Sequence, residues 1–198
     1  MRLSRKGASW IIIATAAGAA MMAGCAARAI KPEAPAIPEV ARTPAEIGAT
    51  LGRWILVEKR ARQLVVYDDT KPIRTYPIVL GEDPLGAKMH EGDNRTPEGE
   101  YHIAAKYPHR AWSRFMLLDY PTPMNRDIYE WSRRSGLLPA GRGSMPGIGG
   151  QVGIHGTVDD GVNRRGENWT RGCISLFNRD VEELYSLVEV GTRVVIEK

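Results

Sequence analysis

The 198 residues carry 43% apolar and 25% charged side chains, enough for one domain with a hydrophobic core and too few for two of ordinary size. With 21 glycines, 13 prolines and two phenylalanines, the composition leans away from a helical bundle and toward a β-rich class. The formal charge of +4 falls to +1 once Arg2, Arg5 and Lys6 are set aside with a cleaved leader, and no Lys/Arg stripe with interleaved aromatics occurs, so nucleic acid is excluded as a partner.

Those three basic residues precede an apolar run over 8–22, and the small residues Ala23 and Gly24 stand just before Cys25, the pattern of an export signal over residues 1–24. The run is shorter than the roughly eighteen apolar residues of a spanning helix, and its small-residue ending predicts cleavage. Met22-Ala23-Gly24-Cys25 resembles the bacterial lipobox, with Met22 where Leu is usual. That resemblance implies a lipid on the Cys25 sulfur and hence a membrane anchor. An ordinary signal peptide, or a disulfide from Cys25 to Cys173, are the other uses open to this cysteine. Residues 25–52 are rich in Ala and Pro and are expected to form an extended tether or a plain terminal segment.

From Arg53 onward the pattern changes to short β-type runs at 54–57, 63–67 and 73–80, then at 99–105, 115–118, 152–155, 173–176 and 193–197. Residues 120–150, rich in Pro, Gly, Arg and Ser, predict a long surface excursion with a short helix near 128–134. One convincing helix follows Asn178-Arg179-Asp180, which would cap it, with Val181, Leu184, Tyr185 and Val188 as its buried stripe and Gly191 at its end.

The segments Gly153-Ile154-His155-Gly156-Thr157 and Trp169-Thr170-Arg171-Gly172-Cys173-Ile174-Ser175-Leu176 place a histidine and a cysteine at the ends of β-type runs. An imidazole within reach of a thiol activates it as a nucleophile and later returns the proton to a leaving amine, which suits acyl transfer. Gly172 permits a tight turn that aims neighbouring amides at an oxyanion, and Gly156 leaves its carbonyl free to fix the imidazole tautomer. A buried core thiol and a strand-end histidine satisfied by backbone remain the alternative. Tyr107, Trp112 and Trp169 serve either a groove or the core. His90, His102 and His109 lack metal-ligand spacing, so no metal site is expected.

The stretch from His155 to Cys173 also carries a family resemblance. The segment is similar to the signature of L,D-transpeptidases, the YkuD-type catalytic domain, in which a histidine is followed by about fourteen to seventeen residues and then Ser/Thr-x-Gly-Cys; fourteen residues separate His155 from Thr170. Gly92-Asp93-Asn94-Arg95-Thr96-Pro97-Glu98-Gly99-Glu100-Tyr101 resembles a hairpin of the same domain, and a weaker echo lies in Leu118-Asp119-Tyr120-Pro121 with Asn125 and Asp127, ahead of Gly149-Gly150. Two positions depart from the pattern, with Arg171 in place of a frequent His and Ser175 in place of a frequent Arg. Asn178 matches the usual Asn near the helix start.

The resemblance implies a mainly β, sandwich or barrel-like domain over residues 53–198 with one or two short helices. It makes Cys173 the nucleophile, His155 the base and acid, the Gly156 carbonyl the orienter, and the amides of Gly172 and Cys173 the oxyanion donors. Arg171, Thr170, Trp169 and Tyr120 become the candidates for substrate contact, and no metal or organic cofactor is required. The implied partner is a peptidoglycan stem tetrapeptide. Its acyl group would pass to another stem, giving a 3-3 cross-link, or to a lysine of an envelope protein. Hydrolysis of the same bonds by a carboxypeptidase or amidase, and a catalytically silent wall-binding lipoprotein, are the competing readings.

Overall fold

The computed structural model describes residues 52–139 and 145–198. The expectations for the signal segment, for Cys25 and for the tether up to Leu51 therefore lie outside the described residues. The elements in chain order are β1 (Arg53–Glu58), β2 (Gln63–Asp68), β3 (Lys71–Pro77), β4 (Gly99–His109), β5 (Ser113–Leu118), α1 (Pro123–Arg134), β6 (Gly153–His155), α2 (Asp160–Arg164), β7 (Ile174–Ser175), α3 (Asn178–Leu187) and β8 (Arg193–Glu197).

The eight strands form one curled sheet in the order β3-β2-β1-β8-β4-β5-β6-β7, the mainly β class that the sequence predicts. Strands β1 and β8 run parallel, as do β6 and β7, while the other neighbours are antiparallel. After Pro77 the chain leaves the β2 ladder and bridges Val79 to Ser175 and Gly81 to Thr170. One end of the sheet is thereby folded round to meet the other, which gives the barrel-like form.

Period-two alternation sorts the side chains of β1. Ile55 and Val57 enter the main core with Val66, Ile103, Met116, Ile154, Ile174 and Val194, all buried inside the curl. Trp54 and Leu56 turn the other way into a smaller cluster with Val65 and Val195, where the Trp54 ring stacks on Tyr67 with centroids 4.5 Å apart. Helix α3 closes the open side of the main core. Its Val181, Leu184 and Val188 are buried and Tyr185 packs beside them, as the 3.6-residue spacing predicts.

Three local expectations need correction. Helix α1 starts at Pro123, well before 128, because Thr122 and Asn125 form a reciprocal capping box and Pro123 occupies the first turn, where its missing N–H costs nothing. Helix α3 has Phe177 at its N-cap with no side-chain cap, and it ends at Leu187 ahead of Gly191. The stretch resembling a hairpin forms no strand before Gly99. It is a loop organised around Asp93, whose carboxylate accepts the amides of Met89, His90 and Arg95 and the Lys88 ammonium at 2.7 Å. Among the described residues no helix is long and apolar enough to cross a membrane.

Candidate active site

The parallel pairing of β6 with β7 sets Ile154 opposite Ile174 and His155 opposite Ser175. Both isoleucines turn into the core. Alternation then sends His155, Ser175 and Cys173 to the opposite face, with Cys173 beside Gly153. The Cys173 thiol donates to the Gln151 carbonyl at 3.6 Å, and the Gly153 amide meets the sulfur. Gly153 is required by packing, since a Cβ there would stand 2.5 Å from the Phe115 ring.

His155 is 1% exposed and enclosed by aromatic rings. Trp112 stacks on it at 4.3 Å and Phe115 at 5.6 Å, while Trp169 meets it edge-on at 5.6 Å. Its Nδ1 lies 2.6 Å from the Gly156 carbonyl. A carbonyl only accepts, so Nδ1 carries the proton and Nε2 keeps a lone pair. Burial lowers the imidazole pKa from its ordinary 6.5 to about 4; the Gly156 hydrogen bond opposes the fall and His109 adds to it.

A directed chain of hydrogen bonds ends on the same carbonyl. The Trp169 indole N–H, which can only donate, reaches Asn163 Oδ1 at 3.0 Å. That fixes the amide of Asn163, whose Nδ2 donates to Ser175 Oγ at 3.0 Å. The Ser175 hydroxyl must then donate onward, and it reaches the Gly156 carbonyl at 3.0 Å. Asn178 clamps the adjoining residue, accepting from the Thr157 amide and donating to the Thr157 carbonyl, each at 2.9 Å. Position 156 has no room for a side chain, because a Cβ would lie 2.2 Å from Asn178 Oδ1 and 2.6 Å from the Trp112 carbonyl.

The turn before the cysteine is built by Thr170 and Gly172. The buried Thr170 hydroxyl donates to the Cys173 carbonyl at 2.7 Å and accepts the Gly172 amide at 3.2 Å. Gly172 adopts φ +130°, and a Cβ on it would approach the Arg95 carbonyl to 2.6 Å. Its N–H thus donates inward to the Thr170 hydroxyl, at the position where the resemblance implies an oxyanion donor. Among the described residues the Cys173 N–H has no protein acceptor. Burial pushes the Cys173 thiol pKa up, against the Gly153 amide and the nearby Lys88 charge, which pull it down. Burial thus disfavours the charged form of each group, thiolate and imidazolium alike.

Of the residues expected to contact substrate, only Arg171 is exposed. It lines a cleft of about 480 Å³ with Lys88, Glu91, Gly92, Asn94, Gly149 and Gly150. Trp169 is half-buried against His155, and Thr170 shapes the turn from within. Tyr120 is buried, and its hydroxyl donates to the Ile148 carbonyl at 3.2 Å, so it braces the loop ahead of Gly149 from inside. No sequence pattern marks Asn163, which sits in the spacer between His155 and Cys173 on the five-residue helix α2. In the sequence Ser175 is only a departure from the family pattern, and nothing local pairs Trp112 with His155.

The YkuD family model, described as the L,D-transpeptidase catalytic domain, matches residues 52–196. The chain belongs to this family. A 147-residue stretch is 29% identical to the candidate L,D-transpeptidase YqjB of Bacillus subtilis, covering 72% of this chain and 70% of that protein. Among solved structures, the fold of this L,D-transpeptidase domain is similar to that of the helical cell shape determining protein Pgp2 of Campylobacter jejuni, with a TM-score of 0.53 and 23% identity over 78% of this chain and 54% of that one. It is also similar to an L,D-transpeptidase of Xylanimonas cellulosilytica, with a TM-score of 0.50 and 15% identity over 75% of this chain and 62% of the other. The chain thus spans little more than half the length of these solved relatives.

Proposed function

We propose that this L,D-transpeptidase domain works through a Cys173 acyl-enzyme on peptidoglycan stem tetrapeptides. The observation that carries the reading is the directed chain Trp169, Asn163, Ser175, Gly156, His155, which leaves Nε2 of a neutral imidazole as the available base on the face that bears Cys173. The thiol proton passes to Nε2 as sulfur attacks the carbonyl of the L-centre of the third residue, usually meso-diaminopimelate. The Cys173 amide donates to the oxyanion. As the tetrahedral intermediate collapses, the imidazolium returns its proton to the departing nitrogen and D-Ala leaves, with a thioester on Cys173.

An imidazolium is costly in so buried a site, and the face of Trp112 offsets part of that cost through its π cloud. The thioester is then taken by an amine, which loses its proton to His155. A diaminopimelate of another stem gives a 3-3 cross-link, and a lysine of an envelope protein gives anchoring. Water in that role makes the enzyme a carboxypeptidase or amidase. Export and a lipid on Cys25 would hold the domain on the wall-facing side of a membrane, with residues 25–52 as tether.

The test is intact-mass analysis with a carbapenem, together with turnover of stem tetrapeptides. The unmutated chain is expected to gain the mass of one carbapenem and to release D-Ala, and Cys173→Ala to do neither. An unmutated chain that forms no adduct and turns over no muropeptide would favour the silent wall-binding reading. Incorporation of labelled palmitate, lost in Cys25→Ala, tests the anchor.

A further inference from the structure

We infer that the cleft beside Cys173 is a subsite for a group bearing a carboxylate and an ammonium on one carbon, with Arg171 holding the carboxylate and Glu91 the ammonium. The inference rests on the reaction proposed above, in which the group of that kind on a stem peptide is the free D-centre at the end of the diaminopimelate side chain.

The charges around the cleft divide into spent and unspent. Lys88 is spent. Its side chain is 4% exposed and pairs at 2.7 Å with an equally buried Asp93, and it also donates to the His90 carbonyl at 3.0 Å. Asp93 is held as the anion: burial would raise its pKa, but Lys88 and the amides of Arg95, Met89 and His90 outweigh that and keep it below the usual carboxylate range. The pair is neutral as a unit and is turned away from solvent.

Arg171 and Glu91 are unspent. Both are exposed, both line the cleft, and among the described residues neither has an ion-pair partner. Nor do they pair with each other, so their charged atoms stand more than 4.0 Å apart. Glu91 is nonetheless fixed by its backbone, with its amide donating to the Gly147 carbonyl at 2.7 Å. A guanidinium and a carboxylate on the rim of one cleft, each without an ion-pair partner among the described residues, complement a zwitterion, and a guanidinium can take a carboxylate through two parallel hydrogen bonds.

The walls leave space between these charges. Gly92, Gly149 and Gly150 contribute no side chains; a Cβ on Gly149 would come into van der Waals contact with Glu91 and Lys88 at 3.4 and 3.5 Å, while one on Gly150 would meet nothing within 4 Å. The cleft also adjoins the nucleophile. Arg171 stands two residues before Cys173, and the Lys88 chain passes 3.7 Å from where a Gly172 Cβ would be. A substrate whose L-centre carbonyl lies at Cys173 can therefore turn its side chain into this cleft.

The experiment compares three synthetic stem tetrapeptides carrying free diaminopimelate, diaminopimelate amidated at its D-centre, or L-lysine in its place. Dissociation constants are measured calorimetrically on the Cys173→Ala chain, and D-Ala release is measured on the unmutated chain. The free peptide should bind about tenfold or more tightly than either analogue, the span expected for one charge-assisted contact. Adding Arg171→Gln to the Cys173→Ala chain should bring the free and amidated peptides to equal affinity. Adding Glu91→Gln should weaken both diaminopimelate peptides alike. Gly150→Val, whose Cβ meets nothing within 4 Å, should narrow the cleft and remove the preference at little changed melting temperature. Equal affinities for all three peptides on the Cys173→Ala chain would overturn the subsite, whatever the turnover. Absence of D-Ala release alongside a clear preference for the free peptide would overturn the reaction and keep the subsite.

Discussion

Ser175 and His155 converge on one acceptor, the Gly156 carbonyl, which takes the serine hydroxyl at 3.0 Å and lies 2.6 Å from the imidazole Nδ1. Both side chains are completely buried and sit opposite one another across the β6–β7 pair. The carbonyl that selects the imidazole tautomer is itself held by a side chain from the strand that follows the nucleophile.

Ser175→Ala is expected to leave Asn163 Nδ2 without its acceptor at a buried position, costing about 1–3 kcal/mol of stability. Ser175 acts as a positioning residue, so kcat should fall by about tenfold, corresponding to about 1.4 kcal/mol, with KM little changed. Urea denaturation and steady-state kinetics check the two effects, and Ser175→Thr, which restores the hydroxyl, should recover most of the kcat. A Ser175→Ala enzyme with unchanged kcat would show that the chain is only structural.

His155 is neutral in the fold down to about pH 4, whereas an unfolded histidine takes a proton near 6.5. Between those values the unfolded state binds more protons, so stability rises with pH across that window and is lost as pH falls through it. The full span is worth roughly 3 kcal/mol. Denaturation midpoints measured from pH 4 to pH 7 should show this slope, and His155→Gln should flatten it. Trp112→Ala, which opens the imidazole to water, should move the acid limb of kcat/KM toward 6.5.

The raised Cys173 pKa predicts slow, strongly pH-dependent alkylation. Iodoacetamide labelling should climb about tenfold per pH unit through neutrality, following the thiolate fraction, with no plateau below pH 8. A plateau at pH 5 to 7 would reveal a resting thiolate–imidazolium pair instead.

Asp93→Asn keeps the shape of the side chain but leaves the Lys88 ammonium buried without its counter-charge. A loss of about 3–5 kcal/mol is expected, read as a lowered melting temperature. Protease sensitivity should appear first within the loop that Asp93 organises.

The local patterns of the chain determined a good deal. Alternating apolar runs placed the strands because each buries at least one face, and the apolar spacing at Val181, Leu184 and Val188 placed the stripe of α3. The cap at Thr122 was equally local and was missed only because the run after it is polar. His155 and Cys173 stood out through their fixed spacing within one short segment. The tertiary structure alone decided what surrounds them. Trp112 and Phe115 reach His155 from a strand and turn some forty residues earlier, and Asn178 reaches back from α3, contacts that no neighbouring pattern encodes. The same holds for charge. Whether a thiol and an imidazole rest neutral or ionised depends on how much water the surrounding rings and strands exclude, and that quantity exists only once the sheet has curled and the loops have closed over it.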